Sequence, residues 1–142
     1  MTSIDVSNVE RARRYLAAIE ASTMPQAGDA AVETVLEFFH ADAEVHEFPN
    51  RLVPSGAIHN RDAIRRGIIR GRSAVKSQRY EVKADYVCGD IVVLEVLWIG
   101  RLAVSLGTVA VGDELKAHFA LFLEFRDGRI WRQRNYDCFE PF

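Results

Sequence analysis

Asp127-Gly128 constrains what this chain can fold into more than any other pair of residues in it. Both central residues of a two-residue hairpin loop need positive φ, and Asp-Gly is among the few pairs that tolerate it. The runs on either side must therefore lie next to each other as antiparallel strands. The second run, Ile130 to Phe139, then alternates with a period of two: Trp131, Gln133, Asn135, Asp137 and Phe139 share one face, and Ile130, Arg132, Arg134, Tyr136 and Cys138 share the other. The first face carries aromatic rings at both ends and amide and carboxyl groups between them. An ordinary core face would carry Val, Ile and Leu, so this row reads as the wall of a ligand pocket, apolar overall with a few placed polar groups. The competing reading makes it the solvent face and covers the arginine face instead.

The rest of the chain supplies material to pack against that strand. Ser7-Asn-Val-Glu10 has capping-box spacing, and Val9, Ala12, Leu16 and Ile19 recur on one helical stripe, which predicts a first helix over about Asn8 to Ala21. Tyr15 lies at the edge of that stripe, where its ring can be buried while its hydroxyl finds a polar partner. After the Pro25 and Gly28 break, Asp29 is a candidate N-cap for a short helix carrying Val32, Val35, Leu36 and Phe39. Ala43 to Phe48 reads as a strand ended by Pro49, followed by a loop through Pro54, Ser55 and Gly56. Asn60 caps a third helix with Ile64 and Ile68 on one side and Arg61, Arg65, Arg66, Arg70 and Arg72 elsewhere. From Arg79 onward the pattern is β: Tyr80 to Val87, Ile91 to Arg101 and Glu114 to Phe125, punctuated by glycine-containing turns, with Leu102 to Val111 the far end of one strand plus a bulged connection to the next. Helices followed by consecutive hairpins predict a single α+β domain over residues 1–142, with helices on one face of a curved, mostly antiparallel sheet.

Several functions are disfavoured at this level. The basic run from Arg61 to Arg79 sits in a chain of net charge -2 that has no recognisable nucleic-acid module, so a solvated or interface face is expected and nucleic acid is not. Cys88 and Cys138 form no framework or C-x-x-C pair. The charged N-terminus has no apolar leader core, and no apolar run reaches the roughly 18 residues of a membrane span, Ile91 to Ile99 being interrupted by Glu95, so a cytoplasmic protein without a membrane partner is expected. His46 and His118 fall on outward positions, His40 and His59 at element ends, and no metal-ligand spacing is present, so neither metal nor cofactor is expected. Parity places Glu95 and Trp98 on opposite faces of one strand, with Trp98 taken as the inward one.

Arg14-Tyr-Leu-Ala-Ala-Ile, Phe38-Phe-His-Ala-Asp-Ala-Glu-Val-His-Glu-Phe-Pro, Ser55-Gly56, Asp62-Ala-Ile-Arg and the Asp127-Gly-Arg-Ile hairpin, in that order, resemble the nuclear transport factor 2-like superfamily. Within it they are most similar to SnoaL-like polyketide cyclases and ketosteroid isomerase. The resemblance implies a cone, in which a bent sheet wraps around the helices and leaves an apolar pocket for a small hydrophobic ligand, commonly in a homodimer paired through the outer sheet face. It also implies that Tyr15 matches the isomerase's helix-one oxyanion donor and that Glu47, just before Phe48-Pro49, falls close to its general base. The isomerase's third acid, one kept protonated by an apolar site, corresponds to Leu121, so the steroid constellation is incomplete. SnoaL-like cyclases often place acids in their pockets, and Asp137 could supply one. Limonene-type epoxide hydrolases share the fold, but Arg101 has Ala103 where their Arg-x-Asp would stand.

Together these readings give a candidate site with Asp137, Glu47 and Tyr15 as catalytic groups and Asn135, Gln133, Trp131, Trp98, Phe119, Leu121 and Phe139 lining a pocket. Two buried carboxyl groups whose pKa values are raised by burial suit proton transfer near neutral pH. Either acid could instead be tied up in a salt bridge with one of the many arginines. The function expected is thus isomerase, cyclase or dehydratase chemistry, with a non-catalytic binding or dimerisation module as the alternative.

Overall fold

The computed structural model describes residues 6–142. The first five residues, part of the N-terminus expected above to carry no apolar leader core, lie outside them. Helix α1 (Asn8–Ser22) starts where the Ser7 hydroxyl accepts the Glu10 N–H at 3.1 Å. Helix α2 (Asp29–Leu36) is capped by Gly28; Asp29, expected as the cap, is its first residue, where a carboxylate still meets the positive end of the helix dipole. Strand β1 (Phe39–Glu47) begins four residues earlier than expected and takes Phe39 out of the helix. A three-residue strand β2 (Ala57–His59) was hidden in the expected loop. Helix α3 (Arg61–Gly71) follows, with the Asn60 side chain accepting the Ala63 N–H at 2.9 Å. Strands β3 (Val75–Cys88), β4 (Ile91–Leu102), β5 (Glu114–Arg126) and β6 (Arg129–Phe139) complete the chain.

The six strands form one open sheet in the order β2-β1-β6-β5-β4-β3. All neighbours are antiparallel except β1 and β6, which run parallel. The three helices and this mixed sheet make the cone-shaped α+β architecture expected. The helices lie on its inner face, where Ala12, Leu16, Val35, Phe39, Leu94 and Leu123 share the main core. A second cluster, Trp98, Leu102, Leu115 and Ala117, is roofed by Tyr80, Phe119, Phe139 and Phe142. The basic helix is largely explained by tethering. Arg61 donates to Leu36 O and Arg72 to Ser22 O and Gly28 O, while Arg65 pairs with Glu33 and Asp62. No helix among the described residues is long and apolar enough to cross a membrane.

One departure re-sorts the last strand. Asp127 and Gly128 have φ of 53° and 75°, as a primed hairpin turn requires, but Phe125 pairs with Ile130 while Glu124 pairs with Arg132. Trp131 is therefore the extra residue of a β-bulge, and parity slips by one across it. Ile130 goes into the core at 0% exposure instead of joining the arginine face. Trp131 leaves the pocket row and is sandwiched between the guanidinium groups of Arg126 and Arg132, 3.7 and 3.9 Å from its ring centroid.

Candidate functional site

Beyond the bulge the expected alternation holds, and it brings β1, β6 and β5 side chains into one row. Ala43 and Val45 are buried on the inner face of β1, so Glu47 shares their parity. Its register partner on β6 is Asn135, two residues from Asp137. Across β6, Phe119 stands opposite Asp137 and Leu121 opposite Asn135. Helix α1 supplies the facing wall through Tyr15.

The polar groups of the row are joined head to tail. Tyr15 donates its hydroxyl proton to Gln133 Oε1 at 2.9 Å, and Gln133 Nε2 donates to Asn135 Oδ1 at 2.8 Å. Gln133, 4% exposed, is satisfied at both ends of its amide. The chain stops at Asn135, whose amide nitrogen makes no hydrogen bond among the described residues. Burial raises the Tyr15 pKa, so the phenol stays neutral and serves to orient the two amides.

The two acids occupy contrasting environments. Asp137 is half-buried, and its Oδ1 is sealed from solvent without a hydrogen-bond partner among the described residues. Burial, and then the negative charge of Glu47, push its pKa up to about 7. Glu47 accepts a hydrogen bond from Asn50 Nδ2 at 2.9 Å, lies 3.6 Å from His59 Nε2, and keeps 22% of its side chain exposed. Asp137 is thus shifted toward its neutral form by its surroundings, while Glu47 is hydrogen-bonded and partly open to solvent, a contrast suited to acid-base work. The arginines that could have neutralised Asp137 are engaged elsewhere: Arg132 with Glu44 and Arg134 with Glu124.

Rings close the site on its other side. Trp98 is inward and 7% exposed, and it stacks on Phe119 at 5.7 Å with Phe139 edge-on to both. Its indole can fold back along β4 because the next inward position is Gly100; a Cβ there would lie 2.4 Å from the ring. Glu95 is on the outer face, accepting from Tyr86. Leu121 belongs to the main core. Tyr80, which the sequence did not single out, is partly buried beside Phe119 and donates to Gln78 Oε1, the oxygen that also accepts the Trp98 N–H. Its inward parity with Val82 was the available signal. His59, expected only at an element end, is on β2 opposite Val45 and turned toward Glu47. Only the brief alternation of Ala57-Ile58-His59 after Gly56 hinted at it. His46 and His118 are outward as expected, His46 stacking on Phe48 and His118 meeting Glu140.

The order of elements and the position of this row now meet the family comparison: residues 12–133 match the SnoaL-like domain. The chain belongs to the SnoaL-like domain family. Its fold is shared by IdmH of Streptomyces antibioticus, a candidate polyketide cyclase, with a TM-score of 0.72 and 17% identity over 93% of this chain and 92% of that one. A candidate polyketide cyclase from Acidithiobacillus ferrooxidans gives a TM-score of 0.70 at 16% identity, covering 96% and 91%. A ketosteroid isomerase-like protein from Catenulispora acidiphila, solved with trimethylamine, gives 0.69 at 17% identity, covering 89% and 84%. No curated protein matches the chain by sequence. At these identities the likeness to solved structures establishes the SnoaL-like fold alone.

Proposed function

We propose that this SnoaL-like protein binds a small, largely apolar, ring-containing molecule between α1 and the inner sheet face, and moves a proton on it with Asp137. The observation that carries this reading is a half-buried carboxyl group, one oxygen sealed and unpartnered, that feels the charge of a second acid and has no arginine on it. Near neutral pH such a group can both give and take a proton. Asn135 Nδ2 donates to the oxyanion that develops as a carbonyl enolises, and Glu47 holds the complementary negative charge. Tyr15 was expected to make the oxyanion contact itself; its bond to Gln133 favours a positioning role, fixing the orientation of Asn135. Isomerisation, aldol-type cyclisation and dehydration next to a carbonyl each need one base, one donor and a dry site, so no cofactor is invoked. The candidate polyketide cyclases of the same fold support the cyclisation class. Arg101 is exposed and donates to Gly112 O, which gives epoxide hydrolysis no support.

A second reading has its own observation. Phe119 and Phe139 pack beside Asp137 and leave its Oδ1 sealed, so a ligand must displace a ring, and a non-catalytic module would keep the rings in place. The outer face supports pairing with a second copy under either reading. His46, Phe48, Tyr136 and Phe122 form a continuous run of rings there, beside a groove of about 540 Å³ lined by Leu97, Ala120, Tyr136 and Cys138.

Exchange of the α-hydrogens of 2-tetralone in heavy water, followed by proton NMR, separates these readings. Wild type should accelerate exchange, and Asp137→Asn should lower the rate by about a hundredfold or more. Equal rates for the two proteins would remove Asp137 from catalysis. A thermal-shift panel of aromatic ketones and polyketide fragments tests binding independently, since ligand at a hundred times its Kd adds about 2.7 kcal/mol.

A further inference from the structure

A ligand that enters between α1 and the inner sheet face must displace one of the rings packed there, and the backbone decides which ring can move. Trp98, Phe119 and Phe139 are held in β4, β5 and β6 by the hydrogen-bond ladder of the sheet. Phe142 is the fourth ring of the set, edge-on to Phe139 at 6.1 Å, and it lies beyond the ladder. The last main-chain bond on this side joins Glu140 N–H to Lys116 O at 2.9 Å; Pro141 has no N–H, and Phe142 bonds to no main-chain group among the described residues. Arg51 holds it instead, donating to Phe142 O at 2.7 Å and lying 4.5 Å over the centre of its ring. The segments around Phe142 are braced. Arg51 sits in a turn where Asn50 Oδ1 accepts the Leu52 and Val53 N–H groups and Asn50 Nδ2 donates to Glu47. In the β4–β5 connection, Leu106 and Val109 exchange both main-chain bonds around Gly107, where φ is 55° and an added Cβ would overlap the Phe142 carbonyl carbon.

We propose that Phe142 is the gate of the ring-lined site: Arg51 holds it shut, and a ring-containing ligand pushes it aside and takes its place against Phe139. This rests on the ligand-binding reading given above. Opening the gate gives up one exposed hydrogen bond, one cation–π contact and one edge-on ring contact, and it breaks no rung of the sheet. Moving Trp98 or Phe119 instead would undo their mutual stack, and Trp98 is further tied by its N–H to Gln78 Oε1 at 2.8 Å. The opening leads along the row that carries the acid, because Phe139 is two residues from Asp137 on the same strand and Phe119 stands directly across from Asp137. A ligand seated against Phe139 keeps Phe142 out, so the closed gate weakens apparent binding by the fraction of molecules that are open.

Two measurements on the full chain test the gate, both in a Trp131→Phe background that leaves Trp98 as the single tryptophan. Trp98 is 7% exposed, so acrylamide should quench it poorly while the gate is shut. Arg51→Met should raise its quenching constant at least about twofold, and Phe142→Ala at least as much. An unchanged constant in Arg51→Met would overturn the gate, because a Phe142 that merely packs on Phe139 would stay in place without Arg51. Arg51 is exposed, so its replacement does not threaten the fold. The Kd of 2-tetralone, read from the NMR shift of the Trp98 indole N–H, should fall about five- to tenfold in both variants. Equal or weaker binding in Phe142→Ala would make Phe142 a fixed wall of the site and overturn the gate. If none of the three proteins binds 2-tetralone, the ring-binding reading fails, and the quenching constants still decide whether Arg51 holds Phe142 shut.

Discussion

A carboxyl group drawn largely out of water prefers its neutral form, and at Asp137 that preference sets a pH response for the folded state. Folding raises its pKa from 3.8 to about 7, so between those values the native chain holds a proton that the unfolded chain has released. The resulting stabilisation is complete below the unfolded value and is lost as pH rises through about 7. Its ceiling is on the order of 4 kcal/mol. The stability of wild type relative to Asp137→Asn, from urea unfolding, should therefore fall between roughly pH 4 and pH 7 and level off above; a constant difference would mean that the carboxyl is not desolvated. Tyr15→Phe removes the donor to Gln133 Oε1 and leaves a buried acceptor unpaired, which should cost about 1–3 kcal/mol in the same assay. Alternation alone put Gln133, Asn135 and Asp137 on one face, the family resemblance pointed to Glu47, and the helical stripe placed Tyr15 at its edge. Trp131 and His59 were misplaced, because a bulge and a three-residue strand depend on contacts made by distant residues.

Among the elements, the β5–β6 hairpin and α3 show two kinds of local control. Gly128 combines a φ of 75° with a close approach, since a Cβ there would lie 3.1 Å from the Arg11 guanidinium carbon. Gly128→Ala should cost about 1–2 kcal/mol and lower the thermal midpoint without altering the strand pairing seen by NMR. Helix α3 is held chiefly by arginines that cap the ends of other segments. Arg72→Ala frees Ser22 O and Gly28 O and should cost about 1–2 kcal/mol, with faster amide exchange in α3 and in residues 23–28 than in the sheet. The arginine run was visible in the sequence as a charge bias. Its use as a set of tethers was not, because the carbonyls it reaches are as far as 50 residues away along the chain.

For the whole molecule, the open sheet has two faces with different uses: the inner one encloses the acid row, and the outer one carries the ring ladder of Phe48, Tyr136 and Phe122. If that ladder seats a second copy, Tyr136→Glu should convert a dimer into a monomer in sedimentation velocity while leaving far-UV circular dichroism unchanged. The sequence by itself determined the number and kind of the long elements, the hairpin at Asp127-Gly128, the family, and the shared face of Gln133, Asn135 and Asp137. These follow from periodicities of two and 3.6 residues and from turn chemistry, all of which act over a few neighbouring positions. Only the tertiary structure decided that Trp131 leaves the row, that the Tyr15 hydroxyl is committed to Gln133, that no arginine reaches Asp137, and that His59 meets Glu47. Each of these depends on strand register and side-chain competition across the sheet, where a shift of one residue reverses every facing.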